Sequence, residues 1–138
     1  MKKYYYKWLV LLLLLAPLSV AQAQNTGTNE SQKDEVYTIV ENAPSFPGGE
    51  EAMYQFLANH IEYPATAREN NITGTVYVTF VVEKNGKITN VVVKRDIGGG
   101  CGAEVVRVVN MMPRWKPATQ KGKPVRCQFS LPVKFNLK

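Results

Sequence analysis

The chain is poor in the residues that carry most enzyme chemistry. Its 138 residues include only two cysteines and one histidine, His60. That set is too small for a zinc site, and no serine or cysteine stands in a recognisable nucleophile setting. No aspartate or glutamate occurs after Glu104. These absences argue against metal and acid–base chemistry, so we expect a binding protein rather than an enzyme, without a cofactor.

Two glycine clusters also lack the residues that a nucleotide site would need. No Gly-Lys-Ser/Thr sequence follows Gly48 and Gly49, as a phosphate-binding loop requires. Residues 98–103 have the spacing G-x-G-x-x-A of a dinucleotide site, but the acidic residue needed about 20 positions later is missing. We therefore interpret Gly98–Gly100 as a flexible corner between a strand and a helix.

One long apolar run occurs, and it lies at the start of the chain. Three lysines precede the run at residues 8–20, which is followed by the small-x-small site Ala21-Gln22-Ala23. This order is typical of a secretory signal peptide cleaved after Ala23. The alternative is an uncleaved anchor, but Pro17 interrupts a run that would need about 20 apolar residues. We expect a signal peptide (1–23), a disordered tether (24–35) and one domain (36–138), exported to the periplasm without a retained membrane span.

Charge is distributed unevenly after residue 23. Residues 24–83 carry two basic and nine acidic side chains, whereas residues 84–138 carry twelve basic and two acidic ones. The second half should attract anionic partners in a salt-dependent manner. The alternative is that solvated faces of the protein simply differ in sign.

A β-hairpin at residues 74–93 is the main structural prediction. Asn85-Gly86 suits a two-residue turn, and the apolar run Ile88–Val93 can return antiparallel beside the first strand. Such a hairpin needs a cover and at least one more strand to be stable. Apolar residues recur at every second position of the first strand, which places them on one face: Val76, Val78, Phe80 and Val82.

The rest of the chain supplies that cover and that strand, which predicts an α+β fold. Pro132 cannot donate to a sheet ladder, so the last strand should lie at an edge of the sheet, at least locally. Trp115, between two prolines, should bury its ring and fix its loop. The predicted elements are a short strand at Val36–Val40, helices at Glu50–Asn59, Ala65–Asn70 and Glu104–Met112, and a last strand at Val125–Phe135.

The two cysteines suggest a disulfide, because an even count in an exported chain favours one. If the second hairpin strand and the last strand are antiparallel neighbours, Cys101 and Cys127 meet at one end of the sheet. A bridge between them would stabilise the fold by about 3 kcal/mol. The alternative is two buried free thiols.

Several short motifs occur in an order that resembles the TonB C-terminal domain. The preceding segment Pro44–Glu50 resembles the lead-in of Bacteroidetes-type members of that family, and the resemblance covers roughly residues 36–138. The motifs are Tyr63-Pro64-x-x-Ala67, Gly74-x-Val76-x-Val78-x-Phe80, Asn85-Gly86-Lys87-Ile88, Trp115-Lys116-Pro117, Gly122-Lys123-Pro124-Val125 and Leu131-Pro132-Val133-x-Phe135.

The resemblance implies a three-stranded antiparallel sheet with helices packed on one face, and an activity that is not catalytic. TonB uses this domain in the periplasm to grip a short segment of an outer-membrane receptor, which adds as a strand at the sheet edge. By analogy, the partner-binding residues are Val125, Arg126, Cys127, Gln128, Phe129, Ser130, Leu131 and Lys134. The structural signature is Tyr63, Pro64, Gly74, Gly86, Trp115, Pro117 and Phe135.

The sequence alone is also compatible with other binding partners. The chain departs from full TonB because it lacks a retained inner-membrane helix and a long proline-rich spacer, so energy transduction does not follow from the resemblance. The basic half could instead bind peptidoglycan or another envelope polymer. The edge strand could also pair with a second copy of the chain to give a homodimer. No nucleic-acid partner is expected.

Overall fold

The computed structural model describes residues 35–137, so the predicted signal peptide and nearly all of the predicted tether lie outside it. No helix in this part of the chain is long and apolar enough to span a membrane. The elements are β1 (Val36–Tyr37), α1 (Glu50–His60), α2 (Ala65–Glu69), β2 (Gly74–Val82), β3 (Ile88–Arg95), α3 (Cys101–Val109), β4 (Ala118–Gln120) and β5 (Lys123–Phe135).

Strand β2 lies at the centre of the sheet, between β3 and β5 and antiparallel to both. The α+β fold is confirmed, but the prediction of three strands is wrong. Two short strands complete the sheet: β1 pairs in parallel with Arg126 and Cys127, and β4 pairs antiparallel with the start of β5. Strand β1 lies within the predicted strand Val36–Val40, whereas β4 was not predicted, because three residues cannot display an alternating pattern.

The predicted strand at Val36–Val40 stops after Tyr37. The chain then leaves β5, and Ile39 is 86% exposed. Its next pairing is with β4, where Asn42 and Thr119 exchange backbone hydrogen bonds of 3.2 and 3.0 Å. Pairing with β4 therefore overrides the β propensity of residues 38–40.

The alternating pattern of β2 is confirmed, because its even-numbered apolar residues are all fully buried. They meet the inward side chains of β5 and the apolar stripes of the helices in one core. Its buried members include Phe46, Phe80, Trp115, Leu131, Phe135, Met53, Leu57, Val105 and Val109.

The predicted two-residue hairpin turn is wrong. Val82 pairs with Ile88, so residues 83–87 connect the strands. The amide of Gly86 donates to the carbonyl of Glu83 at 2.8 Å, and Gly86 adopts a φ of +84°. A turn followed by a left-handed glycine is the usual longer alternative to a two-residue loop.

Helix α3 begins three residues earlier than predicted, at Cys101. The carboxylate of Asp96 explains this start. Its Oδ1 accepts hydrogen bonds from the amides of Gly98 and Gly102, at 3.0 and 3.1 Å. A Cβ at Gly102 would lie 2.3 Å from Asp96 Oδ2, so only glycine fits against this cap.

The predicted disulfide is wrong, because Cys101 and Cys127 are both free and buried. Cys127 pairs with Val82, beside the turn between β2 and β3. Cys101 instead follows the far end of β3, where Arg95 pairs with Tyr77. Val82 and Tyr77 are five residues apart in β2, about 17 Å at the rise of a strand, so the two cysteines lie near opposite ends of the sheet. Burial raises the pKa of both thiols, which keeps them protonated and unreactive.

Candidate functional site: a groove along strand β5

One side of β5 is open along most of its length. The strand pairs with β2 without interruption from Cys127 to Phe135. On its other side, β1 contacts only Arg126 and Cys127. Among residues 35–137, no strand covers that side from Gln128 to Phe135. We call Gln128–Phe135 the free edge. The prediction that the last strand lies at an edge of the sheet, at least locally, is confirmed for these residues.

Pro132 indicates which backbone groups face the open side. It pairs with Tyr77 inside the ladder, and a proline fits there when its nitrogen points away from the partner strand. Because orientation alternates along an antiparallel ladder, Gln128, Ser130 and Lys134 direct their N–H and C=O groups the same way. The carbonyl oxygen of Gln128 accepts a hydrogen bond from Cys127 Sγ at 3.4 Å, so the unpaired donors and acceptors of the free edge are those of Ser130 and Lys134. One donor is missing at Pro132.

Two cavities lie end to end along the free edge and share Tyr54 and Pro132; together we call them the edge groove. The first, of about 410 Å³, is lined by Pro44, Ser45, Phe46, Glu50, Met53, Tyr54, Trp115, Phe129, Ser130, Leu131 and Pro132. The second, of about 520 Å³, is lined by Tyr54, Leu57, Ala58, Ile61, Thr75, Tyr77, Pro132, Val133 and Lys134.

The edge groove opens onto the backbone of β5 rather than onto one face of the sheet. Successive side chains of a strand point to opposite faces, yet Phe129, Ser130, Leu131 and Pro132 all line the first cavity. The opposite wall is formed by α1 and the segment Pro44–Phe46. An extended chain laid beside β5 would thus lie between the sheet edge and a helix.

Aromatic rings hold the first cavity in shape. Trp115 is only 3% exposed, as expected from its position between two prolines. Its ring lies 4.9 Å from that of Phe129, 5.4 Å from Phe80 and 5.8 Å from Phe46, each in an edge-to-face arrangement. Such contacts favour one fixed packing, so the cavity wall is preorganised.

The predicted partner-binding residues fall into two groups. Val125, Arg126 and Cys127 already pair with β4 or β1, so their backbone is not part of the free edge. Of the others, Leu131 is buried and Phe129 half-buried, whereas the side chains of the remaining three are exposed: Gln128, Ser130 and Lys134.

Arg126 is engaged within the chain. Its Nε lies 2.6 Å from Glu83 Oε2, and Thr89 Oγ1 donates to Glu83 Oε1 at 2.6 Å. The hydrogen bond from Arg126 is the main cause that lowers the pKa of Glu83. The guanidinium therefore joins β5 to the end of β2, and its role as a partner contact stays a prediction.

Sequence reasoning missed the far wall of the groove. Phe46, Met53 and Tyr54 come from a loop and a helix that are distant in sequence from β5. The one local signal was Tyr54, an aromatic residue on the polar side of a predicted helix, which is 45% exposed in the structure. An exposed aromatic ring beside an open strand edge is typical of a binding surface.

The signature residues lie mainly outside the groove. The ring of Tyr63 packs 5.5 Å from Phe135, and its hydroxyl donates to the carbonyl of Ile72. Pro64 precedes α2, Gly74 begins β2 with a φ of +143° and Pro117 precedes β4. Gly86 contacts the backbone of Trp115. Only Trp115 also lines the groove.

The opposite sheet edge, β3, is less suited to pairing. Its ladder with β2 contains two register shifts, and Asn90 adopts a left-handed φ of +51°. Two exposed cations, Lys94 and Arg95, stand at its end. Bulges and charges are the usual protection of an edge against added strands. The free edge of β5 lacks these bulges, and its protecting residues are Pro132 and one exposed cation, Lys134.

Within residues 35–137, no cluster of three or more side chains could hold a metal ion. Residues 59–137 match the family model described as Gram-negative bacterial TonB protein C-terminal. No curated protein matched the chain.

Two solved structures are similar, both solution structures of the Helicobacter pylori TonB C-terminal domain. The one of residues 179–285 has 19% identity and a TM-score of 0.49, covering 67% of this chain and 87% of that chain. The one of residues 194–285 has 21% identity and a TM-score of 0.42, with coverages of 65% and 97%. Because the family model spans more than half of the sequence, the chain belongs to the Gram-negative bacterial TonB C-terminal family.

Proposed function

We propose that this protein is a periplasmic, non-catalytic binding module that takes up an extended segment of an outer-membrane receptor as an added strand at Gln128–Lys134. Domains of its family take part in TonB-dependent transport and interact with outer-membrane receptors, and proteins of the family are associated with the cell envelope. The observation that carries the proposal is the free edge of β5, which is regular and borders a groove.

The chemistry of the groove supports this mode of binding. Unpaired N–H and C=O groups of Ser130 and Lys134 can form a backbone ladder with any extended chain, which supplies affinity. Side chains of the added strand that point inward would meet Phe46 and Met53, which supplies selectivity for apolar residues. The groove thus combines a general backbone contact with a selective wall.

A proline at Ser130 tests the proposal. The amide of Ser130 faces away from β2, so Ser130→Pro should leave the fold intact while removing a second donor from the free edge. The ligands are synthetic peptides tiled across periplasm-facing segments of outer-membrane receptors. We expect at least one to bind the parent protein with amide shifts at residues 128–134, and Ser130→Pro to weaken that binding about tenfold or more.

Ser130→Ala is the matched control, because it removes the hydroxyl and keeps the amide; it should bind as the parent protein does. Shifts confined to the helices, or equal binding by a folded Ser130→Pro variant, would contradict strand addition. Retention on purified peptidoglycan that is lost at raised salt and unaffected by Ser130→Pro would instead support the envelope-polymer alternative.

A further inference from the structure

We propose that the edge groove selects an extended peptide with opposite charges: a basic side chain where it passes Glu50 and an acidic side chain where it passes Lys134. Apolar residues of the peptide lie between them. This inference rests on the proposed strand addition and names the chemistry of the partner. It comes from the charges along the groove, which differ in sign at its two ends.

Glu50 and Lys134 are the charged residues that line the edge groove, and neither has a partner within residues 35–137. Glu50 lines the first cavity and Lys134 the second, and both side chains are exposed. No ion pair or hydrogen bond to either side chain occurs in this part of the chain. In contrast, Glu83 pairs with Arg126 and Glu104 pairs with Arg107.

The two charges are far enough apart for each to interact with a different residue of the peptide. Glu50 borders the cavity that contains Ser130, and Lys134 lies four residues further along β5, about 13 Å at the rise of a strand. This exceeds the Debye length of about 8 Å at physiological salt, so each charge acts mainly on its nearest neighbour. Leu131 and Val133 face the core and α1, whereas the side chain of Lys134 points to the opposite face of the sheet. The complementary charges of a bound strand should therefore be an odd number of residues apart, about three or five.

The middle of the groove fits apolar side chains. Phe46, Met53 and Leu131 are buried and line the first cavity, while Leu57 and Val133 play the same part in the second. A charged residue placed there would lose its hydration without a partner, which is costly. The groove should therefore bind a peptide in which apolar residues separate two residues of opposite charge.

Four synthetic peptides test this inference on the full chain. Each has seven residues of alternating valine and threonine, blocked at both ends, with charged residues at the second and fifth positions, which point to opposite faces of an extended strand. The charges are Lys then Glu, Glu then Lys, Lys twice or Glu twice. We expect one mixed order to bind about threefold to tenfold more tightly than the reverse order at low salt, a difference that shrinks at raised salt.

A double charge reversal gives the decisive comparison. The variant Glu50→Lys/Lys134→Glu should exchange the preference between the two mixed peptides. The matched control Glu51→Lys/Lys123→Glu makes the same changes in the same helix turn and the same strand, but outside the groove, and should keep the parent preference. This control also removes an acidic residue from the first turn of α1, so it corrects for any loss of helix stability that Glu50→Lys causes.

The outcomes separate this inference from the function on which it rests. If both mixed peptides bind equally and Ser130→Pro abolishes binding, strand addition stands and the charge selection is wrong. If the reversed variant retains the parent preference, the charge selection is also wrong. If none of the four peptides and none of the tiled receptor peptides binds, the proposed function fails and this inference fails with it.

Discussion

The amide of Trp115 donates a hydrogen bond of 2.9 Å to the carbonyl oxygen of Gly86. The two backbones approach so closely that a Cβ at Gly86 would lie 2.0 Å from the carbonyl oxygen of Trp115. Trp115 lines the edge groove, whereas Gly86 closes the turn between β2 and β3. This contact therefore ties the central hairpin to the aromatic wall of the proposed binding site.

Replacement of Gly86 should be unusually costly for this reason. Gly86→Ala combines a left-handed φ of +84° with a backbone clash, so we expect a loss of more than about 2 kcal/mol in the free energy of unfolding. Thermal and urea unfolding would measure it. Gly122→Ala is the control, because Gly122 has a φ of +74° but a Cβ added there would have no atom within 4 Å. Equal losses in both variants would show that the contact with Trp115 matters little.

The central hairpin could be predicted because apolar residues repeat at every second position of its first strand, from Val76 to Val82, and a second apolar run follows Asn85-Gly86. The edge position of β5 could also be predicted from the sequence, since a strand that contains a proline such as Pro132 normally lies at an edge of its sheet. The far wall of the groove was not, because Phe46 and Tyr54 reach β5 only through tertiary packing. The disulfide failed for a related reason: β5 pairs with β2 and not with β3, an order that the spacing of the cysteines does not encode.

Stability should depend on pH through Glu83. Its pKa is held below the ordinary value of 4.5, chiefly by the hydrogen bond from Arg126. A lowered pKa in the folded state means that the ion pair stabilises fully above about pH 4.5, and that this stabilisation is lost as the pH falls through the folded value. We expect Glu83→Gln to reduce the difference in unfolding free energy between pH 7 and pH 3 by about 1 kcal/mol.

Urea unfolding across that pH range would measure the effect of Glu83. Glu51→Gln is the matched control, because Glu51 is exposed and has no ion pair within residues 35–137. A Glu83→Gln variant with the same pH dependence as the parent protein would contradict the assigned role of the Arg126 pair.

Both thiols should react once the protein is unfolded. Cys101 and Cys127 are buried and unpaired, so thiol titration without a reductant should give two groups per chain in denaturant and almost none in the native state. A reductant should leave the melting temperature unchanged. A thiol count of zero in denaturant, or a lower melting temperature on reduction, would restore the disulfide that the structure contradicts.

Pro132→Ala should strengthen the binding of an added strand to the free edge. The substitution restores the one missing N–H donor on the open side of β5, and proline at an edge normally limits unwanted pairing. We expect tighter binding of strand-forming peptides, by about twofold to fivefold, or self-association visible by light scattering. Ser130→Ala, which adds no donor, is the control. An unchanged affinity together with an unchanged molar mass would mean that the edge does not pair through its backbone.

Amide hydrogen exchange along β5 tests the central claim most directly. In the free protein, the amides of Ser130 and Lys134 should exchange quickly, whereas those of Leu131 and Val133, which face β2, should exchange slowly. Addition of a bound receptor peptide should slow the first group to the level of the second. Equal protection of both groups before any peptide is added, or no change when it binds, would contradict an open edge that a partner strand completes.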